Sequence, residues 1–115
     1  MAQVLEVTSP TFEETVLEAS LERPVVVDFY AQWCGPCQML KPLLEDLAAE
    51  YDFTLAKVDI DQNPELARIY QVQGVPDVKV AVQGQLQSGF VGMLPEPQLR
   101  EWLQTLGLQS GLARS

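Results

Sequence analysis

The chain is predicted to fold as an α/β domain, with a central mixed β-sheet covered by helices on both faces. Three observations predict it. Strand-like and helix-like segments alternate in the order β-α-β-α-β-α-β-β-α. The early β-α-β units imply parallel strands, since a helix is the usual crossover between them. Two late strand-like runs flank Gln83-Gly84, which reads as a hairpin and adds antiparallel strands.

Each element has a local reason. Residues 3–7 are a short strand candidate. A helix follows, with Ser9 as cap, Pro10 in the first turn and Glu13 and Glu14 suited to the helix dipole. Phe12, Val16, Leu17 and Leu21 then recur at helical spacing, until Arg23-Pro24 breaks the pattern. Residues 25–30 form a nearly continuous β-branched and aromatic run, as in a central strand buried on both faces. Residues 34–50 read as a long helix with Met39, Leu40, Leu43, Leu44 and Leu47 apolar, kinked at Pro42.

Residues 53–59 are a further strand, and 64–71 a helix capped by Asn63. Strands over 78–82 and 86–91 make the hairpin. Residues 95–106 form a last helix, with Leu99, Trp102, Leu103 and Leu106 on one face. Residues 1–107 are expected to form one domain, and residues 108–115 a flexible tail.

Composition narrows the function. The 115 residues are 47% hydrophobic and 20% charged, ordinary for a soluble domain. A formal net charge of −9 argues against nucleic acid and anionic membranes as partners. No apolar run nears the roughly 20 residues of a membrane span, and the N-terminus lacks a secretory pattern. The chain reads as cytoplasmic. With no histidine, the commonest general base and metal ligand is missing.

Only two cysteines occur, Cys34 and Cys37, within Trp33-Cys34-Gly35-Pro36-Cys37. A C-x-x-C between a strand and a helix is a site for reversible thiol–disulfide exchange. A structural disulfide or half of a zinc site are the other readings. Tetrahedral zinc needs four ligands, and the chain has no histidine or third cysteine to complete them. No metal is expected. At the start of the long helix, unpaired N–H groups and the helix dipole would stabilise a Cys34 thiolate. Asp28 is a lone acid inside an apolar strand, costly unless paired, protonated or functional.

These residues resemble the thioredoxin family. The active-site motif matches in full. Residues 27–31 resemble the preceding strand, and residues 56–61 the third strand. Gly74-Val75-Pro76 resembles the loop with the family's cis-proline, and Gly84 and Gly92 match later glycines. The resemblance covers roughly residues 4–106 and implies a thioredoxin fold. It implies that Cys34 attacks a disulfide in a protein substrate and that Cys37 resolves the mixed disulfide. Asp28 would move protons to and from Cys37, with Lys57 as its partner. Gly35 and Pro36 would set the turn and favour a reductant. Val75 and Pro76 would dock the substrate strand, within a rim of Trp33, Gly74, Gly92 and Met93. It further implies a separate thioredoxin reductase as electron donor, no bound cofactor and a monomer.

The chain departs from the family in places. Asp77 follows the expected cis-proline, where threonine is usual, and its charge would disfavour a nearby thiolate. Tyr30 stands where tryptophan is common. Residues 89–100 also resemble thioredoxin domains of chaperone-like fusion proteins. The alternative function is therefore a redox-regulated client-binding or scaffold module. An oxidant or isomerase is a third reading, and Gly35-Pro36 argues against it.

Overall fold

A computed structural model describes residues 3–108. Five strands form one sheet: β1 (Gln3–Glu6), β2 (Val25–Tyr30), β3 (Thr54–Asp59), β4 (Asp77–Val82) and β5 (Gln85–Val91). Their spatial order is β1-β3-β2-β4-β5. The first three run parallel, while β4 is antiparallel to both β2 and β5. The apolar run at residues 25–30 thus occupies the centre, where a strand must be apolar on both faces. The helices are α1 (Gly35–Tyr51), α2 (Pro64–Ile69) and α3 (Glu96–Thr105).

Strand periodicity divides the core. Val26 of β2, with Val78, Val80 and Leu55, packs under Leu40, Leu44 and Leu47 of α1 and Leu99 and Leu103 of α3. Val25, Val27 and Phe29 point the other way, toward Phe12, Val16 and Leu66. Burying each such side chain contributes about 2 kcal/mol, so neither face is dispensable.

The hairpin forms at the expected place, with Gln83 at φ 52° and Gly84 at φ 84°. Two positive φ values suit the right-handed twist of the strands, and glycine adopts one without strain. The ladder is irregular beside Val78: Val78 pairs with Phe90, whereas Lys79 pairs with Ser88, leaving Gly89 as the extra residue. A Cβ on Gly89 would lie 2.3 Å from the Val78 carbonyl oxygen and 2.8 Å from Trp102. Trp102 in turn meets Phe90 edge-on at 5.1 Å, the helix-core role its spacing predicts.

Some elements differ from expectation. The helix expected from Ser9 is irregular: 3-10 turns at Ser9–Thr11 and Ala19–Leu21 flank a π-helical Glu13–Glu18. Pro10 and the β-branched Thr11, Thr15 and Val16 give it little intrinsic helix propensity. Phe12 and Val16 are buried as expected, but Leu21 is 57% exposed. Thr8, not Ser9, precedes the first turn. Asn63 stands at the N-cap of α2 without a capping bond. Its side chain instead accepts from the Ser9 N–H at 2.9 Å and donates to the Asp59 carbonyl at 3.1 Å. α1 continues through Pro42 as one 17-residue helix, and Met39 on it is exposed rather than packed. After α3, Leu108 packs against the core. The rest of the expected tail lies outside the described residues.

Candidate active site

The site lies where β2 runs into α1. Cys34 is the N-cap of α1 with extended backbone, followed by Gly35 and Pro36 in the first turn. Pro36 lacks an N–H where none could be paired within the helix, so it starts α1 without a lost hydrogen bond. The Cys37 N–H donates to Cys34 Sγ at 3.1 Å, and the two cysteines form a disulfide with Cα atoms 5.2 Å apart. Cys34 is 4% exposed and Cys37 1%. Among the described residues no cluster of histidine, cysteine or acidic side chains could hold a metal.

Val75-Pro76 is a cis peptide. Val75 packs with Ala31, Cys34 and Cys37, so the loop lies against the disulfide. The Gly92 N–H donates to the Pro76 carbonyl at 2.7 Å, tying the end of β5 to that loop. Gly74 faces Val91, which is exposed. Trp33 is 71% exposed, and its indole N–H donates to Asp61 Oδ2 at 2.9 Å. Met93, expected on the same rim, is half-buried against the α1–α3 core.

Asp28 is 1% exposed, and its Oδ1 has no hydrogen-bond partner. It lines a cleft of about 240 Å³ together with Cys37, Tyr30, Gln32, Gln38, Lys41 and Lys57. Burial pushes the Asp28 carboxyl up to about 7; Lys57 pulls it down and Glu6 pushes it further up. The acid can therefore both hold and release a proton near neutral pH, beside the deeper sulfur. Lys57 is the register neighbour of Asp28 on β3. Its ammonium forms an ion pair with Glu45 Oε2 at 3.6 Å and sits 5.9 Å from the centre of the Tyr30 ring.

Asp77 is buried, and its Oδ1 pairs with Lys79 Nζ at 3.3 Å. It neighbours Phe29 across the β2–β4 ladder, on the face opposite Asp28. A partner on its own strand offsets the charge that the sequence places after the proline.

Gln32, Gln38 and Lys41 of the cleft escaped the sequence reading, as did Asp59 and Asp61 beside it. Asp59 is buried; its Oδ1 accepts from the Asp61 N–H at 2.9 Å and its Oδ2 from Gln32 Nε2 at 3.2 Å. It joins the loop before Cys34 to the loop after β3, and Asp61 then holds Trp33. The alternating acids Asp59-Ile60-Asp61 at a strand end were the available signal, since such ends favour side chains that bond nearby backbone.

Comparison with known proteins agrees with this geometry. The family model Thioredoxin matches residues 3–105. A thioredoxin of Rhodospirillum rubrum is 41% identical over 101 residues, covering 86% of this chain and 95% of that one. The mitochondrial thioredoxin of Mus musculus is 44% identical over 99 residues, covering 84% of this chain and 58% of that protein. A solved structure of a mutant thioredoxin from Halobacterium salinarum NRC-1 superposes with a TM-score of 0.80 at 38% identity, covering 90% of each chain.

Proposed function

The chain belongs to the thioredoxin family and is a thiol–disulfide oxidoreductase that reduces disulfides in proteins, and we propose that Cys34 attacks, Cys37 resolves, and Asp28 with Lys57 manages the proton. The supporting observation is the Cys34–Cys37 disulfide at the head of α1, with Asp28 lining the same cleft as Cys37.

The reaction starts from the reduced pair. The Cys34 thiolate attacks one sulfur of the substrate disulfide, and the other substrate sulfur leaves as a thiolate. The helix N-terminus favours the attacking charge. Asp28 then accepts the Cys37 proton, so that Cys37 attacks Cys34 and expels the second substrate thiolate. Two electrons have passed to the substrate, and the Cys34–Cys37 disulfide remains. Val75 and Pro76 dock the substrate chain by backbone pairing, with Trp33, Gly74, Gly92 and Met93 around it. Gly35 and Pro36 set the sulfur spacing.

A separate thioredoxin reductase restores the dithiol. The protein works as a cytoplasmic monomer. Among the described residues, no helix is long and apolar enough to cross a membrane.

Trapping tests the assignment. Cys37→Ser is expected to accumulate a mixed disulfide with a reducible protein such as insulin, and Cys34→Ser to form none and to lose turnover. Wild-type turnover by Cys34→Ser would remove Cys34 from the mechanism.

A further inference from the structure

Glu6, Lys57 and Asp28 lie in one row across three adjacent strands: Glu6 of β1 is in register with Lys57 of β3, and Lys57 with Asp28 of β2. One cation thus stands between two acids. Above it, Glu45 of α1 holds the ammonium at 3.6 Å. Tyr30, two residues after Asp28 on the same face of β2, reaches over β3. Its hydroxyl donates to Glu6 Oε2 at 2.6 Å, and its ring covers the Lys57 ammonium at 5.9 Å.

We propose that Glu6 and Tyr30 are positioning residues for the Asp28 proton transfer: Tyr30 pins Glu6 beside Lys57, so that the ammonium is shared among three carboxylates rather than given to Asp28. The inference rests on the proton role assigned to Asp28 above. Its physical logic is competition. An undivided Lys57 would stabilise the Asp28 carboxylate and make it a weak base. Glu6 and Glu45 each take part of that field, and the negative charge of Glu6 also repels a charge on Asp28.

The groups around Asp28 are few. Lys57 and Glu6 come from β3 and β1, and Tyr30 from its own strand. From α1, Cys37 and Lys41 line the cleft, and Glu45 reaches Lys57. On β4 the opposing residue is the uncharged Val78. Burial sets the baseline, and Lys57 and Glu6 are the charges that move it.

Titration of the Asp28 side-chain carboxyl by carbon NMR in the oxidised protein tests this, because the bonded cysteines do not titrate. The wild-type midpoint is expected near 7. Glu6→Gln can still accept from Tyr30 but carries no charge, and its midpoint is expected at lower pH. Tyr30→Phe frees Glu6 to turn into solvent, and its midpoint is expected to fall in the same direction. Glu101→Gln, on α3, removes one charge elsewhere and serves as the reference.

A midpoint unmoved in either Glu6→Gln or Tyr30→Phe, or moved no further than in Glu101→Gln, overturns the proposal. Glu6 is exposed, so its replacement leaves the core intact. Turnover of Asp28→Asn separates the two claims: wild-type turnover would refute the proton role, while the midpoints would still report on the clamp.

Discussion

The backbone N–H of Cys37 donates to the sulfur of Cys34 across 3.1 Å. The two sulfurs are therefore unequal before any substrate arrives. One faces the helix N-terminus with a donor aimed at it; the other lies a turn deeper beside a buried acid. In the reduced protein, a thiolate is expected to form more readily at Cys34. Iodoacetamide at pH 7 is expected to label Cys34 faster than Cys37, on the order of tenfold or more, since each unit of pKa difference is tenfold in thiolate. Equal labelling, read by peptide mass spectrometry, would show that the helix terminus does not distinguish them.

The Asp28 carboxyl makes stability depend on pH with a definite sign. Its folded value is about 7, above the 3.8 of a free carboxyl. Between those values the folded state holds a proton that the unfolded state has lost. Its contribution is therefore full below about pH 4 and is lost as pH rises through 7. The difference is on the order of 4 kcal/mol at most. Asp28→Asn is expected to be more stable than wild type at pH 8 and to lose the decline between pH 4 and 7. Urea denaturation of the oxidised proteins across that range measures it, and parallel curves would refute the burial argument.

The indole of Trp33 is held by Asp61 alone among the bonds described, while most of its surface faces water. Removing that bond costs about 1 kcal/mol of orientation. Asp61→Ala is expected to raise KM for a protein disulfide about fivefold with little change in kcat. An unchanged KM would mean that the indole either does not dock substrate or docks it without being held.

Lys79 and Asp77 form a largely buried ion pair. Lys79→Met leaves the carboxylate buried without its cation, at a cost of about 3–5 kcal/mol. The double variant with Asp77→Asn is expected to recover much of that loss. A loss below about 1 kcal/mol for the single variant, in chemical denaturation, would show that Asp77 finds other solvation.

Much of this was legible in sequence, for identifiable reasons. The run at residues 25–30 could only be a central strand, since both of its faces are apolar. Gln83-Gly84 marked the hairpin because few residues tolerate positive φ. The C-x-x-C fixed both sulfurs by covalent reach. What stayed hidden depends on distance across the sheet. Nothing adjacent in sequence links Tyr30 to Glu6, or Gln32 to Asp59; parallel pairing brings them together. Asn63 looked like a cap because its type is right, yet Ser9 and the Asp59 carbonyl offered its side chain other bonds. The helix at residues 9–21 was readable by its buried face, but local propensity was too weak to keep it regular.

The closeness of the two cysteines has a consequence for a cell under peroxide. Oxidation of one thiolate gives a sulfenic acid, which a second oxidant can drive to sulfinic acid and beyond, irreversibly. Here the only other thiol in the chain stands one helical turn away, with its Cα 5.2 Å distant. It condenses with the sulfenic acid, water leaves, and the product is the same disulfide that ordinary turnover makes. Damage is thereby converted into an intermediate of the exchange cycle itself. Peroxide is expected to drive the wild-type pair to the disulfide, and to push Cys34 to sulfinic acid only when Cys37 is replaced.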